Sequence, residues 1–242
     1  MIYISIKPNI NTRISMSLYF RSFALFGLCL FCVLIYRPAI ADDSQNKAVI
    51  LAYGDSLIAG YGLPPGQDFA SQLERKLEET YGPVDVISAA VSGETTAGGV
   101  ARIEWTLEEL EQKPDVAIVA LGGNDMLRGL PPEQTRQNLY HIVEKIADTG
   151  AHILLAGMRA PSNMGEEYTD HFNGIYPKLA KAYPNVELYD FFLEGVAGNP
   201  ELNQKDGIHP NERGVAEIVW RITPDVVHIL NSSKQPGIDN PL

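Results

Sequence analysis

Residues 49–63 read Val-Ile-Leu-Ala-Tyr-Gly-Asp-Ser-Leu-Ile-Ala-Gly-Tyr-Gly-Leu, and this stretch sets the expected fold of the chain. It starts as an apolar run typical of a buried strand and breaks at Gly54. Parallel sheets carry their functional sites at the carboxyl ends of their strands. The stretch therefore predicts that Ser56 is a nucleophile at the edge of a sheet. We assign the neighbouring Asp55 to hydrogen bonds within the turn, because adjacent side chains on a tight turn diverge.

Strand-like and helix-like patterns alternate along the rest of the chain. Apolar residues at helical spacing separate four further apolar runs typical of strands, at 84–87, 116–121, 153–156 and 186–189. This alternation predicts an α/β fold in which helices cover both faces of a five-stranded parallel sheet. We find no repeat or linker-like stretch in 42–242 and interpret it as a single domain.

Several helix boundaries are predicted from capping residues and prolines. Thr95 or Thr96 is placed to cap the second major helix. A later helix should span about 168–183. The last helix should have Pro210 in its first turn, and Pro224 should kink or restart it.

The first 41 residues differ in composition from the rest. They contain four basic residues, no acid, an apolar run at 23–36 and a small-x-small site ending at Ala41. This pattern predicts a secretory signal peptide, removed to leave a chain that begins at Asp42. A membrane anchor is the alternative, although the apolar run is short for a bilayer-spanning helix. Because Met16 is a more ordinary start, residues 1–15 are a candidate mis-assigned extension.

Cysteine content and charge narrow the class of protein further. Cys29 and Cys32 are the only cysteines, and both lie in the predicted signal peptide, so the mature domain must rely on its core. The 19 basic and 30 acidic residues give a net charge of −11, which becomes −15 without the four basic residues of 1–41. So acidic a chain repels nucleic acid and anionic membranes. We expect a periplasmic or extracellular monomer with no nucleic-acid partner and no stable membrane insertion after signal removal.

A serine nucleophile needs a base, and the best candidate among the histidines is His209. It follows Asp206 by three residues, with Gly207 between them allowing a tight bend. That spacing can fold the carboxylate onto one ring nitrogen and leave the other for Ser56. A plain turn over 206–209 is the alternative. The other histidines have ordinary surface or boundary positions, at His141, His152, His171 and His228.

Oxyanion donors are expected from loops at the same strand ends. Gly93 follows the second strand and Asn124 follows the third. Taken singly, Gly93 is explained by a turn and Asn124 by a left-handed position after two glycines. Together with Ser56 and His209, however, they fall at successive strand ends of one sheet edge, and this coincidence favours a catalytic site.

The residues that carry these predictions resemble a known family. Gly54-Asp55-Ser56-Leu57, then Gly93, Gly122-x-Asn124-Asp125 and Asp206-x-x-His209 resemble, in order, the four blocks of the GDSL, or SGNH, hydrolases. The segments 92–95, 121–129, 175–180 and 206–211 look close to the bacterial periplasmic thioesterase/lysophospholipase/arylesterase branch. The Gly-x-Ser-x-Gly elbow of α/β-hydrolases is absent, because Ile58 stands at its second glycine.

This resemblance implies a fold and a role for each residue. The fold would be the flavodoxin-like three-layer α/β/α fold of SGNH hydrolases. Ser56 would attack the acyl carbon, His209 would act as base and then acid, and Asp206 would orient His209. The N–H groups of Ser56 and Gly93 and the side chain of Asn124 would form the oxyanion hole. No metal or cofactor is implied.

Apolar and flexible side chains near the predicted site indicate the class of substrate. They follow the third and fourth strands, at Met126, Leu127, Leu130, Met158 and Met164. Such side chains suit an acyl chain or an aryl group, although packing under loops is the alternative. The leading hypothesis is a serine esterase acting on small acyl or aryl esters and thioesters. A deacetylase of cell-wall or exported polysaccharide and a non-catalytic acyl- or glycan-binding module are the alternatives.

Overall fold

A five-stranded parallel sheet forms the centre of the protein, which confirms the predicted α/β fold. The computed structural model describes residues 47–233, so the predicted signal peptide lies outside the described residues. The strands are β1 Ala48–Gly54, β2 Val84–Ala90, β3 Val116–Ala120, β4 His152–Ala156 and β5 Val186–Tyr189. Neighbouring strands are parallel in the order β2-β1-β3-β4-β5. In this flavodoxin-like order β2 is added on one side of β1 and β3 on the other, and this switch in strand order places a crevice at the carboxyl ends of β1 and β3.

Helices cover both faces of the sheet and complete the three-layer α/β/α arrangement. They are α1 Ser56–Ala59, α2 Phe69–Thr80, α3 Thr96–Glu108, α4 Gly123–Leu127, α5 Pro132–Ala147, α6 Glu166–Asn173, α7 Ile175–Ala182 and α8 Glu212–Ser233, with a 3₁₀ turn at Ser162–Met164. Helix α2 packs against α8, and α3 packs against α5. Within residues 47–233, no helix combines the length and apolar character that crossing a bilayer requires.

The burial of the strands follows their position in the sheet. Every residue of β1 and β3 is buried, as their continuous apolar sequences predict for central strands of a parallel sheet. The edge strand β2 instead alternates between buried and exposed residues over its first half. The core therefore holds β1 rigidly, and with it the point at which Ser56 leaves the sheet.

Two predicted helix boundaries differ from the structure, and one of the two alternatives for Pro224 is excluded. The segment predicted as one helix over 168–183 forms α6 and α7, which meet at Gly174, a residue type of low helix propensity. The last helix begins at Glu212 rather than at Pro210, because the side chain of Asn211 caps it by accepting from Gly214 N–H at 3.0 Å. Of the two alternatives for Pro224, a restart is excluded, because α8 continues through this residue to Ser233.

A short helix after β3 was not predicted. Gly122 adopts a left-handed φ of 109° and starts α4, which then contains Asn124. A side chain at Gly122 would also clash, since its Cβ would lie 2.3 Å from the hydroxyl of Tyr176. Asn124 is therefore helical, and the left-handed position belongs to the glycine two residues before it.

Candidate active site

Ser56 is the first residue of α1 and lies two residues beyond the end of β1. The strand can turn so closely because Gly54 has no side chain: a Cβ there would lie 2.4 Å from Cγ1 of Ile58 and 2.8 Å from the carbonyl oxygen of Ala120. Ile58 itself is fully buried. Packing of Ile58 against Gly54 thus fixes the turn that presents Ser56, which is 8% exposed.

Asp206, His209 and Ser56 form a continuous chain of contacts. Asp206 Oδ2 lies 2.7 Å from His209 Nδ1, and His209 Nε2 lies 3.0 Å from Ser56 Oγ. The second carboxylate oxygen, Oδ1, accepts from the backbone N–H groups of Ile208 and His209 at 2.9 and 3.0 Å. Gly207 has a φ of 71°, which allows the carboxylate to fold back in this way. The geometry brings a hydroxyl, an imidazole and a carboxylate together across 150 residues of chain.

These hydrogen bonds also set the charge of Asp206. Donation from the backbone and side chain of His209, and from the backbone of Ile208, lowers the pKa of Asp206 to about 2. The carboxylate is therefore ionised at neutral pH. Within the described residues, no cluster of three or more His, Cys, Asp or Glu side chains is arranged to hold a metal ion.

The loop that carries Asp206 and His209 is tied down mainly by carboxamide side chains. Gln204 donates from Nε2 to the carbonyl oxygens of Tyr61 and Pro210 at 2.6 and 3.0 Å, and its backbone N–H donates to His209 at 2.7 Å. Asn211 donates to the carbonyls of Glu201 and Asn203. The loop thus depends on polar contacts, in contrast to the apolar setting of Ser56.

Tyr61 makes a ring contact that the sequence patterns did not indicate. Its ring centroid lies 4.7 Å from that of His209, with the two planes tilted by 40°. The side chain is 54% exposed, so it covers the imidazole from the solvent side. The residue stands within the stretch that organises the fold, but helix and strand periodicity carries no signal for such a contact.

Asp55 forms the predicted turn bond and a second bond that links two strand ends. Its Oδ1 accepts from Leu57 N–H at 3.0 Å, and its Oδ2 accepts from Asn124 Nδ2 at 3.0 Å. Burial raises the pKa of Asp55 to about 6, against the opposing effects of these two hydrogen bonds and of the nearby His209. The bond from Asn124 uses one of its two side-chain N–H groups and leaves the other for a ligand.

Gly93 lies in the turn after β2 and is exposed. Its φ of 78° is in the left-handed region that favours glycine. Its carbonyl oxygen accepts from Nη2 of Arg128 at 2.7 Å, and this bond does not involve the Gly93 N–H. Gly93 is not among the residues that line the cavity beside Ser56.

Two buried polar contacts hold this turn, and neither was predicted. The side chain of Glu94, next to Gly93, accepts from Nε and Nη2 of Arg102 at 2.6–2.9 Å. Arg102 also donates to the carbonyls of Gly54 and Ala89 at 3.3 and 3.1 Å, so it joins the ends of β1 and β2. The pair is mostly shielded from solvent, with side-chain exposures of 17% for Arg102 and 7% for Glu94.

The cap of α3 corrects the prediction made for Thr95 and Thr96. Thr95 occupies the capping position but makes no side-chain capping bond. Instead, the buried carboxylate of Asp125 accepts from Thr96 N–H at 2.8 Å and from its hydroxyl at 2.5 Å. Because Asp125 directly follows Asn124, this cap connects the turn of Gly93 to the helix of Asn124.

A cavity of about 670 Å³ opens beside Ser56 and His209. Of the five predicted substrate contacts, Met126, Leu127 and Met158 line it. The cavity also has apolar lining that was not predicted, from segments after β1, β4 and β5 and from the loop of Asp206 and His209: Leu57, Ala160, Pro161, Phe191, Leu193, Ala197 and Ile208. A signal for Phe191 and Leu193 was present, since both follow the fifth strand at the same sheet edge.

Leu130 and Met164 do not line this cavity. The backbone N–H of Leu130 donates to the carbonyl of Asp125 at 2.9 Å, and the carbonyl of Leu130 accepts from the hydroxyl of Tyr168 at 3.0 Å. These bonds fix the backbone of Leu130 where the chain folds back after α4. Met164 ends the 3₁₀ turn and packs, partly buried, against the core. For Met164, the alternative of packing under a loop is therefore the one that the structure supports.

Comparison with known proteins gives consistent matches to one family. The model of the GDSL-like Lipase/Acylhydrolase family matches residues 52–216. The arylesterase of Vibrio mimicus is 39% identical over 190 residues, covering 77% of this chain and 92% of that protein. Thioesterase 1/protease 1/lysophospholipase L1 of Escherichia coli K12 is 40% identical over 183 residues, covering 75% and 82%.

A solved structure agrees with these sequence matches. The crystal structure of AlinE4, an SGNH-hydrolase family esterase, has a TM-score of 0.64 and 47% sequence identity to this protein. The match covers 79% of this chain and 98% of that one. The family predicted from the ordered motifs is therefore confirmed, and the chain belongs to the GDSL-like lipase/acylhydrolase family.

Proposed function

We propose that this protein hydrolyses carboxylic esters and acyl thioesters through an acyl-enzyme formed on Ser56. The observation that carries the proposal is the chain of contacts from Asp206 through His209 to Ser56 at the mouth of an apolar cavity. A serine hydroxyl is a weak nucleophile until a neighbouring base takes its proton. The distance of 3.0 Å from His209 Nε2 to Ser56 Oγ is within the range for that transfer.

The roles follow from the charges and hydrogen bonds of these three residues. As Ser56 Oγ attacks the acyl carbon, its proton passes to His209 Nε2. The ionised Asp206 holds the other ring nitrogen and stabilises the imidazolium. His209 then gives the proton to the departing alcohol or thiol. In the second half-reaction a water attacks the acyl-enzyme, with His209 again as base.

The negative charge that develops on the acyl oxygen needs donors that are already in place. We assign this role to the N–H groups of Ser56 and Gly93 and to the free side-chain N–H of Asn124. Support comes from the contacts that hold these groups. Asp55 binds the Asn124 side chain, Arg102 braces Glu94 beside Gly93, and Asp125 caps the helix that follows.

The lining of the cavity favours an acyl or aryl substrate. It is formed mostly by aliphatic, methionine and aromatic side chains, among them Leu57, Met126, Met158 and Phe191. A polysaccharide deacetylase would be favoured by an open groove of exposed aromatic rings. Tyr61 is the one exposed aromatic residue described beside His209. Ester and thioester hydrolysis is therefore the better-supported function.

A substrate panel tests this assignment. Purified protein should be assayed with aryl esters, acyl thioesters, lysophospholipids and acetylated sugars. We expect turnover of the first three classes and at least tenfold lower kcat/KM for acetylated sugars, because an acetyl group buries little area in the cavity. Preference for the sugars would support the deacetylase instead. Absence of turnover, together with no labelling of Ser56 by an organophosphate, would support a binding module.

Replacing Asp55 with Asn should remove the pH-dependent loss of stability that Asp55 causes while lowering activity. The folded-state pKa of about 6 lies above the ordinary value of 3.8, so ionisation of Asp55 opposes folding. The free energy of unfolding therefore falls as the pH rises from about 4 to about 6 and Asp55 ionises in the unfolded chain first, and this stability is not regained at higher pH. Asp55→Asn cannot ionise. Its stability relative to wild type should thus rise by about 2 kcal/mol between pH 4.5 and pH 7.5, because roughly two pKa units correspond to about 3 kcal/mol in all and about a third of that is already lost below pH 4.5.

The same variant should lose activity. An amide at position 55 turns an N–H towards Asn124 or gives up its bond to Leu57, so kcat should fall by about 10-fold to 100-fold. Denaturant unfolding at the two pH values and kcat at pH 7.5 provide the measurements. Asp85→Asn, on the exposed side of β2, is the control and should change neither. Equal pH dependence in Asp55→Asn and wild type would contradict the assignment.

A further inference from the structure

Exposed apolar side chains are concentrated around the mouth of the site. Among residues 47–233, six large apolar residues are strongly exposed. Two are tryptophans on helices, Trp105 on α3 and Trp220 on α8. The other four lie around the site, Leu127 at the end of α4 and the rest on loops, and we call them the apolar rim: Tyr61, Val91, Leu127 and Ile208.

Each rim residue is placed near Ser56 by a specific contact. The ring of Tyr61 packs on His209 at 4.7 Å, and Leu127 and Ile208 line the cavity. The backbone N–H of Val91 donates to the carbonyl of Gly54 at 3.1 Å, two residues before Ser56. All four are 46–57% exposed, so the apolar lining of the cavity continues outwards onto the surface.

Two arginines near the site, Arg128 after α4 and Arg159 after β4, have no carboxylate partner among the described residues. Arg128 donates to the carbonyl of Gly93, and the guanidinium of Arg159 lies 5.2 Å from the ring centroid of Phe191 at the cavity. By contrast, Arg102, Arg136 and Arg221 each pair with a glutamate. Within residues 47–233, Arg75 on α2, like Arg128, bonds only to a backbone carbonyl, so what matters for Arg128 and Arg159 is their place beside Gly93 and the cavity.

We propose that the apolar rim and these two arginines dock the protein on the surface of a zwitterionic phospholipid aggregate, from which an acyl chain enters the cavity. This inference rests on the proposed function, because the continuous apolar surface from the rim into the cavity matters only for a substrate whose acyl chain passes along it. Apolar rim side chains gain by leaving water, and guanidinium groups pair well with lipid phosphates. The acidic remainder of the chain disfavours a surface with net negative charge.

Flotation with phosphatidylcholine vesicles tests the proposal. The protein is taken from the periplasm after export, with its N-terminus read by mass spectrometry, and carries Ser56→Ala so that no lipid is cleaved. The test variant adds Val91→Asn, Leu127→Asn and Ile208→Asn. The matched control instead adds Trp105→Asn and Trp220→Asn, which are each 63% exposed but lie outside the rim. Arg128→Gln with Arg159→Gln forms a third arm.

The rim variant should lose about tenfold or more in vesicle partitioning, because three apolar side chains no longer leave water on docking. The tryptophan control should change by less than about twofold, and the arginine variant should fall between them. Equal losses in the rim and tryptophan variants, or no loss in the rim variant, would overturn the proposal. Tighter binding to vesicles of net negative charge than to phosphatidylcholine would also overturn it.

Folding and function are checked separately. The thermal midpoint and near-UV circular dichroism of each variant must match those of the Ser56→Ala parent; if the triple variant unfolds, Val91→Asn and Leu127→Asn are measured singly. Hydrolysis of a water-soluble p-nitrophenyl ester by the protein with Ser56 intact reports on the proposed function alone. If the protein hydrolyses that ester but the rim substitutions do not change flotation, the docking proposal is rejected and the proposed ester hydrolysis is unaffected.

Discussion

Replacing Ser56 with Ala should lower kcat for a short-chain p-nitrophenyl ester by about 10³-fold to 10⁶-fold. In the proposed mechanism the acyl-enzyme forms on the Ser56 hydroxyl, whose described side-chain partner is His209. Residual turnover would come from the oxyanion donors and substrate binding, which the substitution leaves in place. Initial rates on purified protein, corrected for background hydrolysis, provide the measurement.

The fold should tolerate this change. Ser56 loses one oxygen at a partly exposed contact, so the free energy of unfolding should change by no more than about 1 kcal/mol. Ser88→Ala on the edge strand β2 is the matched control and should retain wild-type kcat. If Ser56→Ala kept a tenth or more of the activity, another residue would have to be the nucleophile.

Replacing His209 with Ala should cause a loss of similar size, about 10³-fold to 10⁶-fold in kcat, because no base remains to accept the serine proton. The truncation also leaves space where the ring stood between Asp206 and Ser56. Added imidazole should therefore restore part of the activity in a concentration-dependent way. The measurement is kcat against imidazole concentration at constant ionic strength.

Two controls make the imidazole result specific. Ser56→Ala should show no rescue, since it lacks the nucleophile that imidazole would activate. His171→Gln changes an exposed histidine on α6 and should behave like wild type. Rescue of both active-site variants, or full activity in His209→Ala, would rule out His209 as the base.

The parts of the fold and site that could be predicted have local signals in the sequence. The central strands are continuous apolar runs, and the helices between them have a clear period, so the parallel sheet could be predicted. The approach of Asp206 to His209 depends on only three residues of spacing and on Gly207. These features could be predicted without knowing which strands are neighbours in the sheet.

The contacts that were missed depend on neighbours in space. Asp55 meets Asn124 because β1 lies beside β3, and Asp125 caps α3 because α4 lies against its first turn. Residue spacing contains neither fact. Leu130 and Met164 were assigned to the substrate pocket from composition alone. The return of the backbone after α4 and the packing of the 3₁₀ turn decide their positions instead.

The two halves of the proposed triad have different mechanical support. Ser56 emerges from a strand whose residues are all buried, whereas Asp206 and His209 lie on a loop held mainly by the side-chain amides of Gln204 and Asn211. Segments with few buried apolar contacts open at lower free energy than the core around them. The molecule can therefore lose the base from its nucleophile while the sheet stays intact. We therefore expect heat inactivation to be a local event that precedes melting, with the loop rather than the core setting the working temperature of the enzyme.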